Sequence, residues 1–159
     1  MKSNKIAMIA ILLWVVTVAV FAWFFIRGNI TAGRDDRTAI VLQGGERDLI
    51  LLEMRGLLTS THGILEGLIQ ADMNRVVQSS RASGMAAAAD VNPALMAKLP
   101  LPFKTLGMSV HQDMDDIATA AERGDPAPEL LKMLSATLSK CVACHAEWQL
   151  KTGNDLPTM

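Results

Sequence analysis

The sequence predicts an all-α protein in which one N-terminal transmembrane helix precedes an antiparallel four-helix bundle. Two observations predict the helices. Residues 6–26 form an uncharged run of 21, and residues 46–150 carry four stretches whose apolar side chains recur at spacings of three and four. A third observation is that no stretch alternates apolar and polar residues as a half-buried strand does. The 159 residues are enough for one ordinary domain with a buried core.

The apolar run at 6–26 has the length of a membrane span. Thr17 is its only polar side chain, and a helix of this size is about 31 Å long, which matches the hydrocarbon core of a bilayer. Aromatic side chains cluster at its C-terminal end, as they do at membrane surfaces. Because the core of a signal peptide is usually about 7–15 residues long, we expect residues 1–27 to be a retained anchor. A signal peptide with a weak cleavage site at Ala32 is the alternative.

The rest of the chain divides into a linker, a domain and a short tail. Residues 28–45 are expected to be a polar linker, residues 46–151 the helical domain and residues 152–159 a C-terminal tail. The four predicted helices cover residues 46–70, 71–89, 103–123 and 126–150. Three prolines mark residues 90–102 as a loop.

The apolar stripe of each helix predicts the face that it buries. In the first helix the stripe is Ile50, Met54, Leu57, Thr61, Ile64 and Leu68, and a second stripe of Leu51, Leu58, His62, Leu65 and Ile69 widens it. In the third helix it is Phe103, Leu106, Val110, Met114, Ile117 and Ala121. In the fourth it is Leu131, Leu134, Leu138, Cys141, His145 and Trp148. The second helix carries small side chains, which suit a close neighbour or a bulky group that is not protein.

Composition excludes several classes of protein. Residues 28–159 carry 12 Lys and Arg against 16 Asp and Glu, with no basic run and few aromatic side chains, so no nucleic-acid partner is expected. Two cysteines are too few for a disulfide scaffold of the small secreted kind. No glycine-rich phosphate loop follows a strand, which argues against a nucleotide enzyme.

Residues 141–145 carry the pattern with the clearest chemistry. Two cysteines three residues apart, followed at once by a histidine, form the attachment pattern of c-type haem. On a helix these positions share one face. Cys141 and Cys144 can therefore form thioethers to the haem vinyl groups while the imidazole of His145 faces the iron as the proximal ligand.

Other uses of this pattern find less support in the sequence. A redox-active dithiol of the thioredoxin kind needs a βαβ context, and a structural zinc site needs four ligands, but there is no second pair of cysteines. After the anchor the only aromatic residues are Phe103 and Trp148, so one covalent haem would supply apolar volume that large rings usually provide. Bacteria attach such haem outside the cytoplasmic membrane. We therefore expect a single-pass inner-membrane protein with its haem domain in the periplasm.

Over residues 47–151 the chain resembles the cytochrome c′ family. The resemblance rests on the cysteine–histidine motif late in the last helix, on an aromatic residue, Trp148, three positions after the histidine, and on the segment from Met54 to Leu58 in the first helix. Gln149 departs from the pattern because the family often has a basic residue there, and the membrane anchor is a second departure. The resemblance implies a periplasmic four-helix bundle with one covalent haem. Many relatives dimerise through their first two helices, so a homodimer is an arrangement it leaves open.

The family divides on what occupies the sixth position of the iron. Low-spin members place a methionine of the first helix there and resemble electron carriers, which makes Met54 the expected distal ligand, with His62 as the less favoured alternative. High-spin members place an apolar side chain there and bind NO or CO. A one-residue shift in register would instead bring Gly56 or Leu57 over the iron.

We therefore predict a membrane-anchored, monohaem c-type cytochrome that transfers single electrons and is not an enzyme. Its expected partners are membrane or periplasmic redox proteins, including those of a larger respiratory complex. The alternative is a five-coordinate haem protein that traps or senses NO or CO. Catalytic turnover would need a polar acid–base group beside the iron, and His62 is the only candidate, because His111 is expected to be exposed. Arg55 is a candidate partner for a haem propionate.

Overall fold

The computed structural model describes residues 2–33, 35–89 and 91–155, and within them it has six α-helices and one three-stranded sheet. The helices are α1 (Lys2–Arg27), α2 (Gly44–Ile69), α3 (Met73–Arg81), α4 (Pro93–Lys98), α5 (Leu101–Arg123) and α6 (Ala127–Glu147). The strands are β1 (Ile30–Ala32), β2 (Thr38–Leu42) and β3 (Trp148–Thr152). Two 3-10 turns occupy Met85–Ala88 and Gly153–Asp155. The expectation of a mostly helical chain with one N-terminal apolar helix is confirmed.

Helix α1 is long and apolar enough to cross a membrane. Its stretch Asn4–Arg27 has a mean hydropathy of 2.7, and none of it is buried against the rest of the chain. The chain leaves α1 through Gly28, whose φ of 68° is open to glycine but strained for other residues. A Cβ at Gly28 would also strike the backbone of Leu99. The C-terminal end of α1 therefore rests closely on the corner between α4 and α5.

The three-stranded sheet was not expected. Strand β2 pairs antiparallel with β1 and parallel with β3, so that Thr38 lies opposite Trp148. The prediction that no strand exists is wrong, and so is the prediction that residues 148–150 continue the last helix. A five-residue apolar strand such as β2 has no alternation for sequence analysis to detect, because it is buried at Ala39, Ile40 and Leu42. Residues 156–159 of the expected C-terminal tail lie outside the described residues.

The second predicted helix is interrupted, and the loop predicted after it contains a helix. Helix α3 ends at Arg81, and the chain then passes Gly84, where a Cβ would collide with the carboxylate of Asp115. That carboxylate accepts a hydrogen bond from the backbone N–H of Met85 at 2.9 Å, so α5 holds the break in place. Helix α4 begins where the side chain of Asn92 accepts a hydrogen bond from the N–H of Ala94 at 2.8 Å.

The buried apolar residues form two clusters. The first joins α2, α3, α5 and α6 and consists of Ile64, Val76, Met114, Ile117, Ala120, Ala121, Leu130 and Leu134. The second joins the sheet to α2, α4 and α5 and consists of Ile40, Leu42, Ile50, Leu95, Leu99, Phe103 and Trp148. Met54 and Cys144 are half-buried and pack against the second cluster.

The buried face of α6 differs from the predicted one. Leu131 and Leu138 are exposed, whereas Leu130, Leu134 and Thr137 are buried. Apolar side chains lie on more than one face of this helix. The spacing of its apolar residues therefore could not show which face is buried. The second stripe predicted for the first helix is also exposed at four of its five positions, which are Leu58, His62, Leu65 and Ile69.

Candidate functional site

An apolar cleft of about 420 Å³ lies between α2, α5 and α6. Its volume is in the range of about 300–1,000 Å³ that proteins use to bind small molecules. The residues at 141, 144 and 145 line it from α6, and Met54 lines it from α2. Apolar side chains complete most of the wall: Ile50, Leu51, Leu57, Leu58, Phe103, Leu106, Val110, Met114 and Leu138. The structure therefore brings the three motif residues and the expected distal ligand to one cleft.

The two cysteines face the cleft as free thiols. Cys141 and Cys144 lie three residues apart on α6, both are half-buried, and neither is in a disulfide. Burial raises the pKa of each thiol, and in Cys141 the carboxylate of Asp113 adds to this rise. Both groups therefore stay protonated at neutral pH and are not poised as nucleophiles.

His145 stands at the edge of the cleft in the last turn of α6. Its side chain is exposed, and its backbone carbonyl accepts a hydrogen bond from Arg37 at 3.4 Å. Two residues later α6 ends, and Trp148 turns into the sheet, where its ring meets that of Phe103 edge to face with centroids 6.2 Å apart. Because Phe103 lines the cleft, this ring pair couples the position of the end of α6 to the cleft wall.

The structure separates the candidates for the distal position. Met54 lines the cleft, and so does Leu57, one of the two residues that a shift in register would bring over the iron. Gly56, the other, does not line this cleft. His62 does not reach it either: its side chain is 70% exposed, and its Nδ1 atom lies 3.9 Å from a carboxylate oxygen of Glu66.

Two cationic side chains are available at the cleft. Arg55 is exposed and lines the cleft, so it is placed where it could pair with a carboxylate of a bound group. Lys140 also lines it and forms an ion pair with Asp113, with 2.6 Å between Nζ and Oδ2. The same carboxylate accepts a hydrogen bond from Thr137 at 3.1 Å. Asp113 is therefore used to hold α5 against α6.

A histidine–glutamate pair in the cleft wall escaped the sequence analysis. His111 was expected to be exposed, but only 4% of it is accessible. Its Nε2 lies 2.8 Å from Oε1 of Glu53, and its Nδ1 lies 2.9 Å from the carbonyl oxygen of Ser83. The hydrogen bond to Glu53 raises the pKa of His111. In the sequence, Glu53 directly precedes a core position on one helix and His111 directly follows a core position on another. This pattern cannot show that the two side chains form a pair.

The donors in the cleft fit a haem better than a bare metal ion. Among the described residues, no group of three or more His, Cys, Asp or Glu side chains is arranged to hold a metal. A haem iron takes four ligands from its porphyrin and needs only one or two axial side chains, such as an imidazole and a thioether. The two half-buried thiols, the apolar wall, His145 and Met54 are the parts of the cleft that could hold such a group.

No family model, no curated protein and no solved structure matches this chain.

Proposed function

We propose that the protein is a membrane-anchored, monohaem c-type cytochrome that carries single electrons, with a cytochrome c′-like bundle of α2, α3, α5 and α6 around the haem. The observation that supports it is that two thiols, an imidazole and a thioether line one apolar cleft. Cys141 and Cys144 would hold the haem by thioether bonds. His145 would be the proximal ligand and Met54 the distal one.

The residues of the cleft suit electron transfer. A haem held there supplies a one-electron iron couple. His145 and Met54 would hold its iron, which would leave no place there for a substrate, and a methionine ligand would raise the reduction potential. The apolar wall would shield part of the group from water. Arg55 would provide positive charge for a haem carboxylate.

The anchor and the surface charge suit a carrier that works beside membrane enzymes. Helix α1 would hold the domain at the inner membrane of a bacterium, on the periplasmic side where c-type haem is attached. Residues 28–159 have a net charge of −4, which favours encounter with a basic patch on a redox partner. The partners proposed are membrane or periplasmic redox proteins, including subunits of a respiratory complex. A homodimer is compatible with this arrangement.

A gas-binding protein is the second candidate. It is favoured by Leu57 and Leu58, which line the cleft next to Met54 and could cover an open iron position with an apolar surface. In that case the haem would be five-coordinate and would bind NO or CO.

Covalent attachment is the first property to test. The full chain is produced in bacteria that carry the periplasmic c-haem attachment machinery, and its mass and free thiols are measured after denaturation. We expect the mass of the chain plus one haem and no free thiol. The variant with Cys141→Ala and Cys144→Ala should lose the haem, whereas Ser139→Ala on the exposed face of α6 should keep it. A wild-type chain with two reactive thiols and no haem would contradict the proposal.

A further inference from the structure

A second cavity, of about 380 Å³, lies beside the haem cleft. It is bounded by α2, α4, α5 and the chain that follows α3. The wall between the two cavities consists of residues that line both, namely Ile50, Glu53, Leu57, Phe103, Gly107 and His111. The proposed electron carrier does not use this second cavity.

The second cavity lies at the end of the membrane anchor. Lys104 lines it, and the Nζ atom of Lys104 donates a hydrogen bond to the carbonyl oxygen of Phe25 at 2.9 Å and lies 3.5 Å from the centre of the Phe25 ring. Phe25 is in the last turns of α1, close to where an apolar span would leave the bilayer. Leu49 and Leu52 also line the cavity and are each 59% exposed, so an apolar molecule could enter past them.

The walls of the cavity are mostly apolar. Along the face of α5 that borders it, a polar group lies at each end, Lys104 at one and His111 at the other. Lys104 is 6% exposed, and its ammonium group donates to the carbonyls of Phe25 and Met96 but forms no ion pair within the described part of the chain. Burial lowers the pKa of Lys104. His111, with its partner Glu53, lies two helical turns further along α5, about 10 Å away along the axis. A ligand between them would meet a polar group at both ends.

Two helical glycines border the cavity. Gly56 in α2 and Gly107 in α5 both line it, and a Cβ added to either would meet nothing within 4 Å. Glycine inside a helix costs about 1 kcal/mol relative to alanine. Neither glycine is needed for the close approach of two helices, in contrast to Gly67, where a Cβ would strike Val76. A larger side chain at either position would therefore project into open space.

We propose that this cavity binds a lipid-soluble quinone drawn from the membrane. Its ring would lie between the apolar walls, with one ring oxygen near Lys104 and the opposite oxygen, a hydroxyl in the reduced form, near the carboxylate of Glu53, and its tail would leave past Leu52. The inference rests on the proposed function, because the anchor brings the cavity to the membrane and the haem cleft lies on the other side of the shared wall. A fatty acid fits less well, since its single head would reach Lys104 alone and leave the other polar pair against its tail.

Photolabelling of the full-length protein in phosphatidylcholine nanodiscs tests the site directly. The probe is an azido-benzoquinone with a ten-carbon tail, and the labelled peptides are identified by mass spectrometry. We expect labelling within residues 82–111 that excess decylubiquinone prevents and oleate does not. Gly56→Phe, which fills only the second cavity, should reduce this labelling at least tenfold. The control Gly45→Phe, at an equally open position outside the cavity, should leave it unchanged.

Labelling confined to α1, labelling that Gly56→Phe does not reduce, or competition by oleate alone would overturn the inference. If Gly56→Phe does not fold, as judged by circular dichroism, Leu52→Glu at the cavity mouth takes its place, with the exposed Ile69→Glu on the same helix as its control. The haem spectrum of the same samples separates the two proposals. Haem-free protein that is still labelled retains the quinone site without the proposed function, whereas haem-loaded protein without labelling shows the reverse.

Discussion

The Nε2 atom of His111 lies 2.8 Å from Oε1 of Glu53, and this contact joins α5 to α2 across the wall between the two cavities. The other ring nitrogen lies 2.9 Å from the carbonyl oxygen of Ser83, in the turn that follows α3. Because both partners are acceptors, the imidazole donates from both nitrogens when it is protonated. One protonated ring therefore connects α5 to α2 and to the turn after α3, and its charge state should affect the stability of the domain.

We expect the folded protein to lose stability as the pH rises above about 6.5. The hydrogen bond to Glu53 raises the pKa of His111 above its value in the unfolded chain. The contribution of the pair is therefore complete below the unfolded pKa and disappears as the pH rises through the folded pKa. Thermal unfolding followed by circular dichroism from about pH 5.5 to about pH 8.5 measures this slope.

The variant Glu53→Gln should flatten the slope and lower the stability at about pH 6 by roughly 1 kcal/mol, a value at the low end for a charged hydrogen bond because Glu53 is 34% exposed. His62→Gln is the matched control, since His62 is exposed and should leave the slope as it is. An unchanged slope in Glu53→Gln would show that another group titrates.

Met54→Ala should open the distal position of the iron. We expect the wild type to be low-spin, to show the weak far-red band of a methionine–iron bond and to be indifferent to CO. The variant should lose that band, become high-spin and bind CO. Met73→Ala is the control, because Met73 is also half-buried but packs against the other core cluster, away from the cleft. A wild type that is already high-spin and binds CO would move the function to gas binding.

Trp148→Ala should destabilise the domain by about 3–5 kcal/mol, because it removes a large buried ring together with its contact to Phe103. At about 2–4 °C per kcal/mol, the melting temperature should fall by roughly 10 °C. Ile69→Ala, at a position that is 84% exposed, should change the stability by less than about 0.5 kcal/mol. A fall of only a degree or two in Trp148→Ala would mean that β3 does not hold the end of α6.

Ala71→Gly should stabilise the protein. Ala71 has a φ of 55°, a left-handed conformation that costs a residue with a Cβ about 1–2 kcal/mol. Part of this gain is cancelled by the greater freedom of glycine in the unfolded chain, so we expect a net gain of about 0.5–1 kcal/mol. The control Ala136→Gly, at an exposed position inside α6, should have the opposite sign and cost about 1 kcal/mol. Chemical denaturation of the two variants checks both signs.

The elements that could be predicted from the sequence are those whose pattern lies within a short stretch of the chain. The apolar run of α1 and the helical period of α5 require only neighbouring residues, and both helices lie where they were expected. The sheet could not be predicted in this way, because β2 pairs with β3, whose residues lie more than a hundred positions further along the chain. The end of the last helix was misplaced for the same reason: pairing with β2 draws Trp148 into a strand.

The same distinction between local sequence and tertiary structure holds for the candidate site. The sequence by itself determined that Cys141, Cys144 and His145 present their side chains together, because one turn of a helix sets their spacing. Only the tertiary structure decided that Met54 and not His62 lines the same cleft, and that His111 pairs with Glu53 in its wall. The physical reason is that the rotation of one helix against another depends on contacts between residues far apart in the chain, which no local pattern encodes.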